Sequence, residues 1–359
     1  MDCILRFEKV SKSFSGQRVL DEFDLELRAG EFLTLLGPSG CGKTTCLNLV
    51  AGFLKPDLGT IFLRGRAVND VPPRRRNLSM VFQTWALFPH MRAAENVAFG
   101  LLMRGRPRGE IERRVREMLD LVRLSEAAEK NPSQLSGGMR QRLALARALA
   151  VEPDILLLDE PLSALDAALR KEMQVELKRI HEKLRVTTIF VTHNQEEALT
   201  MSDRIAVMRG GRIVRLDTPR ELYEDPRSRF VCTFMGDVNI FEGTVETVEA
   251  GGAVLRAAGG VGVRLPVREG LAPGAPCTVA VRPERVTVRA APTAGAQNSI
   301  PGLVRHMVYN GTSVQYWVEA AGRELLALEY RKSGAAMPQK GDRVSLEFEP
   351  EALMVLDRD

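Results

Sequence analysis

No stretch of this sequence stays apolar for the ~18–20 residues that a bilayer-spanning helix needs. The opening residues, "MDCILRFEKV", carry acidic side chains and no apolar core, so no secretory leader is expected there. Cysteine is scarce: Cys3, Cys41, Cys46, Cys232 and Cys277 are odd in number and scattered. That argues against a disulfide framework and for a reduced, cytoplasmic setting. Histidine is scarcer. His90, His181, His193 and His306 lie far apart in sequence and form no metal-ligand spacing. Charge of one sign is also missing. Fifty basic against 46 acidic residues leave a net +4, too little to argue for a nucleic-acid surface. A pI near 8.8 is compatible with work beside an acidic membrane face. No long repeat or low-complexity tract is visible.

What remains is a soluble-type composition at 359 residues, enough for two domains. Residues 1–235 alternate strand and helix signals. "EFLTLL" (31–36), "SMVF" (79–82), "DILLL" (154–158) and "TTIFV" (187–191) are short continuous apolar runs, expected of strands covered on both faces. Ile111, Val115, Met118 and Val122 repeat at helical spacing. So do Leu169, Met173, Leu177, Ile180 and Leu184, after Asp166 as N-cap. "RIAVMRGGRIVRL" reads as a hairpin turning at Gly210–Gly211. The fold class expected is α/β with a largely parallel sheet. From residue 236 to 359 the pattern becomes short alternating strands between Gly and Pro turns, an all-β barrel or sandwich, with 291–302 linking its halves. The basic runs "PPRRR" (72–76) and "RRVRE" (113–117) are expected to be solvated faces.

Chemistry concentrates in a few motifs. Gly37, Pro38, Ser39, Gly40, Cys41, Gly42, Lys43, Thr44 and Thr45 follow a strand and precede a helix-like run. This G-x-x-x-x-G-K-[ST] pattern lets backbone N–H groups turn inward around phosphate oxygens. Lys43 brings a charge to the β and γ phosphates, and the Thr44 hydroxyl can ligate Mg²⁺. Cys41 inside the loop reads as a small filler rather than a redox thiol. Asp159 and Glu160 close another strand. One carboxylate can hold Mg²⁺ through water and the other can polarise an attacking water. His193 follows a third strand and can bond a γ-phosphate. Gln83 follows a fourth, within reach of metal or water. The next apolar residues, Trp85 to Phe88, read as core or as a partner surface. Finally, Ser136, Gly137 and Gly138 open the helix "MRQRLALARALA", a second anion-attracting helix mouth.

In this order, these motifs together with "SALD" (163–166) resemble the nucleotide-binding subunit of an ATP-binding-cassette (ABC) transporter over residues 3 to 235. The fold implied is a RecA-like P-loop core with a helical subdomain at about 86–150. "VRPERVTV" and "VRHMVYNGTSVQYWV" resemble the TOBE extension (an oligonucleotide-binding-like barrel) of bacterial importer ATPases. The resemblance implies ATP and Mg²⁺ as cofactors, with phosphate and metal contacts at Lys43, Thr44 and Thr45. It implies Gln83 as the glutamine coupled to the membrane subunits, Asp159 on Mg²⁺ through water, Glu160 as general base and His193 on the γ-phosphate and water. Phe14 stands where the family stacks an aromatic on adenine. Ser136, Gly137 and Gly138 would contact the nucleotide of a second subunit in a head-to-tail homodimer, and Asp166 would end a loop reaching across it. The implied partners are two integral-membrane permease subunits and a periplasmic or lipid-anchored binding protein, with no nucleic acid, at the cytoplasmic face of the inner membrane. Met139 replaces the family's usual glutamine and Asn194 its usual aspartate. Activity should survive both with modest changes in rate.

Runs such as "TWALFPHM", "TPRELYEDP" and "FMGDVNIF" resemble the polyamine-importer branch, implying spermidine/putrescine cargo. Ferric iron, sulfate or sugar importers remain alternatives. A soluble ABC protein acting on ribosomes or DNA is disfavoured by the single cassette and the lack of a sustained heptad run. A P-loop kinase or GTPase leaves the second glycine motif and His193 without a role. A nucleic-acid-binding barrel would need more aromatic platforms than Tyr309, Tyr316, Trp317 and Tyr330 provide.

Overall fold

The computed structural model describes residues 2–249, 251–266, 270–330 and 337–357. It forms two compact units, residues 1–219 and 220–359. In the first unit the strands are β1 Cys3–Phe14, β2 Gln17–Arg28, β3 Phe32–Leu36, β4 Leu58–Leu63, β5 Arg66–Ala67, β6 Leu78–Val81, β7 Ile155–Asp159, β8 Thr187–Thr192, β9 Arg204–Arg209 and β10 Arg212–Asp217. The helices are α1 Lys43–Ala51, α2 Ala93–Met103, α3 Arg108–Leu121, α4 Gly137–Ala150, α5 Ala167–Leu184 and α6 Gln195–Met201. Six strands make the central sheet in the order β10-β9-β3-β8-β7-β6. All neighbours in it are parallel except the β9–β10 hairpin.

The continuous apolar runs have their expected cause. Leu156 and Leu158 of β7 face one way, into a core with Phe32, Phe190 and the helices α2 to α5. Ile155 and Leu157 face the other way, onto Leu33, Leu35 and the α1 residues Cys46, Leu47 and Leu49. Each fully buried leucine of this kind contributes roughly 1.5–3 kcal/mol of transfer free energy. The second face is closed by a four-stranded antiparallel sheet, β2-β1-β4-β5. The apolar-run reading overlooked that sheet. In β2, Phe23, Leu25 and Leu27 point inward while Asp24, Glu26 and Arg28 alternate outward.

Helix ends follow their caps. Asp166 Oδ1 accepts from Leu169 N at 2.9 Å, opening α5. Met173, Leu177 and Ile180 then line the core. In the basic run 72–76, Arg74 and Arg75 are exposed as expected, but Arg76 is not. Arg76 is 2% exposed and donates to the carbonyls of Leu49 and Val50 at 2.7 and 2.8 Å. It thereby satisfies the otherwise orphaned end of α1.

The second unit begins with the short helices α7 Pro219–Glu224 and α8 Arg229–Phe234. Segment 220–235 therefore groups with the strands that follow rather than with the composition that precedes it. Buried Arg282 donates to the carbonyls of Cys232 and Gly236 at 3.0 and 3.1 Å, and Tyr223 Oη donates to Glu284 at 2.6 Å. The strands are β11 Asn239–Glu249, β12 Gly252–Ala257, β13 Gly262–Leu265, β14 Pro276–Val281, β15 Thr287–Arg289, β16 Asn298–Tyr309, β17 Ser313–Ala320, β18 Arg323–Tyr330, β19 Arg343–Phe348 and β20 Leu353–Leu356. Ala250, in the expected β11–β12 hairpin, lies outside the described residues. Two five-stranded antiparallel sheets, β13-β12-β11-β14-β20 and β15-β19-β16-β17-β18, share one core around Phe241, Leu255, Tyr316 and Leu346. The expected link at 291–302 is shorter than the sequence implied. Pro301–Gly302 reads as a breaker, yet buried Asn298 and Ile300 carry it into β16.

Candidate functional site

Register brings four loops to one edge of the central sheet. Leu36 at the end of β3 pairs with Thr192 of β8, Val191 of β8 with Asp159 of β7, and Leu158 of β7 with Val81 of β6. The chain leaves all four strands in the same direction. Gly37, His193, Glu160 and Gln83 therefore emerge along a single crevice, where open α/β sheets bind ligands.

The loop after β3 is shaped as an anion cradle. A Cβ at Gly37 would lie 2.6 Å from the Met208 carbonyl. One at Gly42 would lie 2.7 Å from Leu20 Cδ2 and 2.8 Å from the Val19 carbonyl, and Gly42 has φ +104°. Only glycine fits either place. Lys43 is 6% exposed, its Nζ folded over the loop and donating to the Gly37 and Pro38 carbonyls at 2.7 and 3.0 Å. A buried ammonium turned onto the Gly37 and Pro38 carbonyls and, at 3.8 Å, the soft Cys41 sulfur, and framed by backbone that admits no side chain, suits a phosphate. Pro38, Ser39 and Gly40 are exposed. Burial pushes the Cys41 thiol up despite Lys43 nearby, so it is a filler and not a thiolate. Thr45 is half-buried.

Exposed Thr44 donates from Oγ1 to Asp159 Oδ1 at 3.2 Å. Burial, with the Glu160 charge beside it, pushes the Asp159 carboxyl up, against the pull of Thr44 and Lys43. A hydroxyl and a poorly hydrated carboxylate oxygen side by side suit a hard cation such as Mg²⁺.

Glu160 follows at φ +44°. That left-handed backbone costs roughly 1–2 kcal/mol in a non-glycine residue. It is held by Glu160 N donating to the Val191 carbonyl (3.1 Å), and by Ser163 N and Oγ donating to the Glu160 carbonyl (3.2 and 2.8 Å). The turn sends adjacent carboxylates to different partners. Asp159 meets Thr44, and Glu160 Oε2 lies 3.3 Å from His193 Nδ1. His193 is exposed. Behind it Asn194 caps α6, its Oδ1 accepting from Glu197 N at 3.1 Å, which gives the unusual asparagine a structural role.

The other residues singled out in the sequence lie around this centre. Gln83 is exposed two residues beyond β6. Phe14 is 42% exposed at the end of β1, with Lys12 Nζ 5.5 Å from its ring centroid. Lys12 pairs with Leu20, the residue packed on Gly42, so Phe14 belongs to the hairpin end beside the cradle. Ser136 is exposed at the N-terminus of α4, its Oγ accepting from Met139 N at 3.3 Å, which leaves its O–H to donate. Gly137 lies against Leu165 and Trp85, and Gly138 against Leu169. Residues 136–138 and the phosphate loop thus have separate sets of neighbours. Met139 packs on the core of the helical region, which accounts for an apolar residue there. Asp166 is exposed and serves as the α5 cap.

Two features escaped the sequence. Trp85, half-buried, donates from Nε1 to Gln141 Oε1 at 2.6 Å, and Arg147 donates to the Ala86 and Trp85 carbonyls at 2.8 and 3.1 Å. Helix α4 therefore clasps the segment after Gln83, a contact that no spacing announces. The second is Glu197, buried behind His193. It shares the inward stripe of α6 with Ala198 and Met201, a phase that the adjacent Glu196 and Glu197 leave open in the sequence.

Comparison with known proteins gives consistent likenesses. A family model described as ABC transporter matches residues 20–163, and one described as TOBE domain matches residues 279–356. The spermidine/putrescine import ATP-binding protein PotA of Rubrobacter xylanophilus is 47% identical over 98% of this chain and 93% of its own length. Its namesake from Acidothermus cellulolyticus is 48% identical over 96% and 90%. Among solved structures, cbiO1 from Clostridium perfringens, described as part of the ABC transporter complex cbiONQ, aligns with TM-score 0.58 at 30% identity. It covers 62% of this chain and 91% of its own.

Proposed function

We propose, because this chain belongs to the ABC transporter family, that it is the ATP-hydrolysing subunit of a polyamine importer. The observation that carries the chemistry is the pairing at one sheet edge of Thr44 with Asp159 and of Glu160 with His193, beside the Lys43 cradle. ATP binds with its β and γ phosphates against Lys43 Nζ and the N-terminus of α1. Phe14 offers an aromatic face to the adenine. Mg²⁺, when bound, would neutralise charge on the phosphate oxygens, and Thr44 Oγ1, Asp159 and the Gln83 amide oxygen would hold it. Glu160 accepts a proton from the water whose oxygen attacks the γ phosphorus. The bond to the bridging oxygen breaks and its electron pair leaves on ADP. His193, on the Glu160 carboxylate, orients that water. Ser136 and the Gly138 N–H close the γ-phosphate of a second copy, with Asp166 at the same interface.

The near full-length match to spermidine/putrescine import ATP-binding proteins supports the cargo, two membrane permease subunits and an external polyamine-binding protein as partners, and a peripheral position at the cytoplasmic membrane face. No helix among the described residues is long and apolar enough to cross a membrane itself. Glu160→Gln tests the chemistry: steady-state hydrolysis should fall about 10²–10⁴-fold while binding of a fluorescent ATP analogue persists. Hydrolysis at the original rate would remove Glu160 as the base. Reconstitution with the membrane proteins encoded beside it, assayed with labelled spermidine against ferric iron, sulfate and sugar, tests the cargo.

A further inference from the structure

An ion pair between a half-buried arginine and a buried glutamate joins the "SALD" segment to the histidine. Glu197 is 4% exposed. Its Oε2 accepts from Thr192 Oγ1 at 2.6 Å, and that same hydroxyl oxygen accepts from Asn194 N at 3.0 Å. With Asn194 Oδ1 on Glu197 N, both chain neighbours of His193 are fixed by this one glutamate. The other carboxylate oxygen, Oε1, faces Arg170 Nε of α5 at 3.9 Å. That is about 1 Å beyond an ordinary N–H···O bond, and Nε, buried, has no hydrogen-bond partner. The far end of the same guanidinium is engaged, Nη2 donating to the Leu165 carbonyl at 3.0 Å. Leu165 in turn lies against Gly137. Ser163, at the start of the segment, holds the Glu160 carbonyl. Burial raises the Glu197 carboxyl, with Thr192 and Arg170 pulling against it.

A buried guanidinium N–H and a buried carboxylate oxygen aimed at each other yet not closed are costly to keep. Their arrangement links the segment that reaches toward a second copy to the imidazole of the same chain. We propose that Arg170 and Glu197 are positioning residues for hydrolysis: the guanidinium conveys the placement of Leu165–Asp166 to Glu197, which sets the pose of His193. This rests on the reading of Glu160 and His193 as the hydrolytic pair. Contact of Ser136–Gly138 and Asp166 with a partner's nucleotide shifts Leu165, closes the Arg170–Glu197 gap and locks the imidazole on Glu160. The signal between the two sites of a dimer then runs through one arginine.

The test uses the full-length chain. Glu197→Gln and Arg170→Met should each lower kcat about 10- to 100-fold with the KM for ATP changed less than threefold, and Arg170→Lys should recover part of the loss. Adding Glu197→Gln to His193→Ala should cost nothing further, because Glu197 acts through that imidazole. Multiplying losses, a KM effect at unchanged kcat, or a wild-type Arg170→Met enzyme would each overturn the proposal. If Glu197→Gln does not fold, judged by thermal denaturation, half-buried Arg170 decides the matter through its two variants and their combination with His193→Ala. Should Glu160→Gln and His193→Ala themselves leave kcat intact, the hydrolytic reading fails instead. Should those two abolish hydrolysis while Arg170→Met and Glu197→Gln do not, only this joint fails.

Discussion

Asp159 shows how a residue's surroundings set its chemistry. A strand-end carboxylate can cap a helix or hold a cation. Burial raises this one above the ordinary aspartate value of 3.8, which disfavours its charged form in the free protein. A cation restores that charge. As pH falls through the raised pKa the carboxyl protonates and loses its affinity for Mg²⁺. The Mg²⁺-dependent gain in affinity for a fluorescent ATP analogue should therefore shrink on acidification at a higher pH than an exposed aspartate would show. Asp159→Asn should reduce the gain and flatten its pH profile. An unchanged profile in the variant would assign the titration elsewhere. At this scale the sequence was informative wherever a motif fixed a residue type to the start of a helix, as at Lys43 and Thr44, or to a strand end, as at Glu160 and His193. It was silent where geometry alone chose. Nothing in "NQEEAL" says which glutamate faces inward until the phase of α6 is known, and nothing marks Glu160 for a left-handed backbone.

Among the elements, the parallel strands and long helices were legible because each side chain's burial follows a simple period. The four-stranded antiparallel sheet is not legible from continuous apolar runs, because β2 buries only alternate side chains. Contacts between elements were not legible at all. The packing of α4 on α5 rests on Gly138, where an added Cβ would meet Leu169 Cδ1 at 2.7 Å. Leu169 sits in the first turn of α5, one residue before Arg170. Gly138→Ala should therefore overpack this joint and cost about 1–3 kcal/mol. Thermal denaturation would read the loss directly, without reference to activity. Gly138→Ala combined with Leu169→Ala should lose less than the two single changes added together, because the second change makes room for the first. Simple additivity would place the strain elsewhere.

At the scale of the molecule, each unit has its own apolar core, and the chemistry belongs to the first. Within that unit the two helix mouths have different neighbours. The mouth of α1 packs on Leu20 and the mouth of α4 on Leu165 and Leu169. A cradle at Lys43 and an exposed Ser136 with no neighbour in common are accounted for if each completes a site on another copy. Self-complementary pairing of one surface by a two-fold axis is the commonest way for identical chains to assemble. Ser136→Arg should then abolish hydrolysis while the chain still binds a fluorescent ATP analogue, and Lys43→Ala should lose both. Mixing the two dead variants separates the arrangements. If Ser136 serves the Lys43 of its partner, about half of the dimers are mixed and each contains one complete site, so activity should return, to at most about a quarter of the wild-type value and to less where the His193 of the chain holding that site depends on contact with the nucleotide its partner has lost. If Ser136 serves the Lys43 of its own chain, every site in the mixture is broken and no activity returns. The mixing ratio supplies a further check, because restored activity should peak at equal amounts of the two chains and vanish at either extreme.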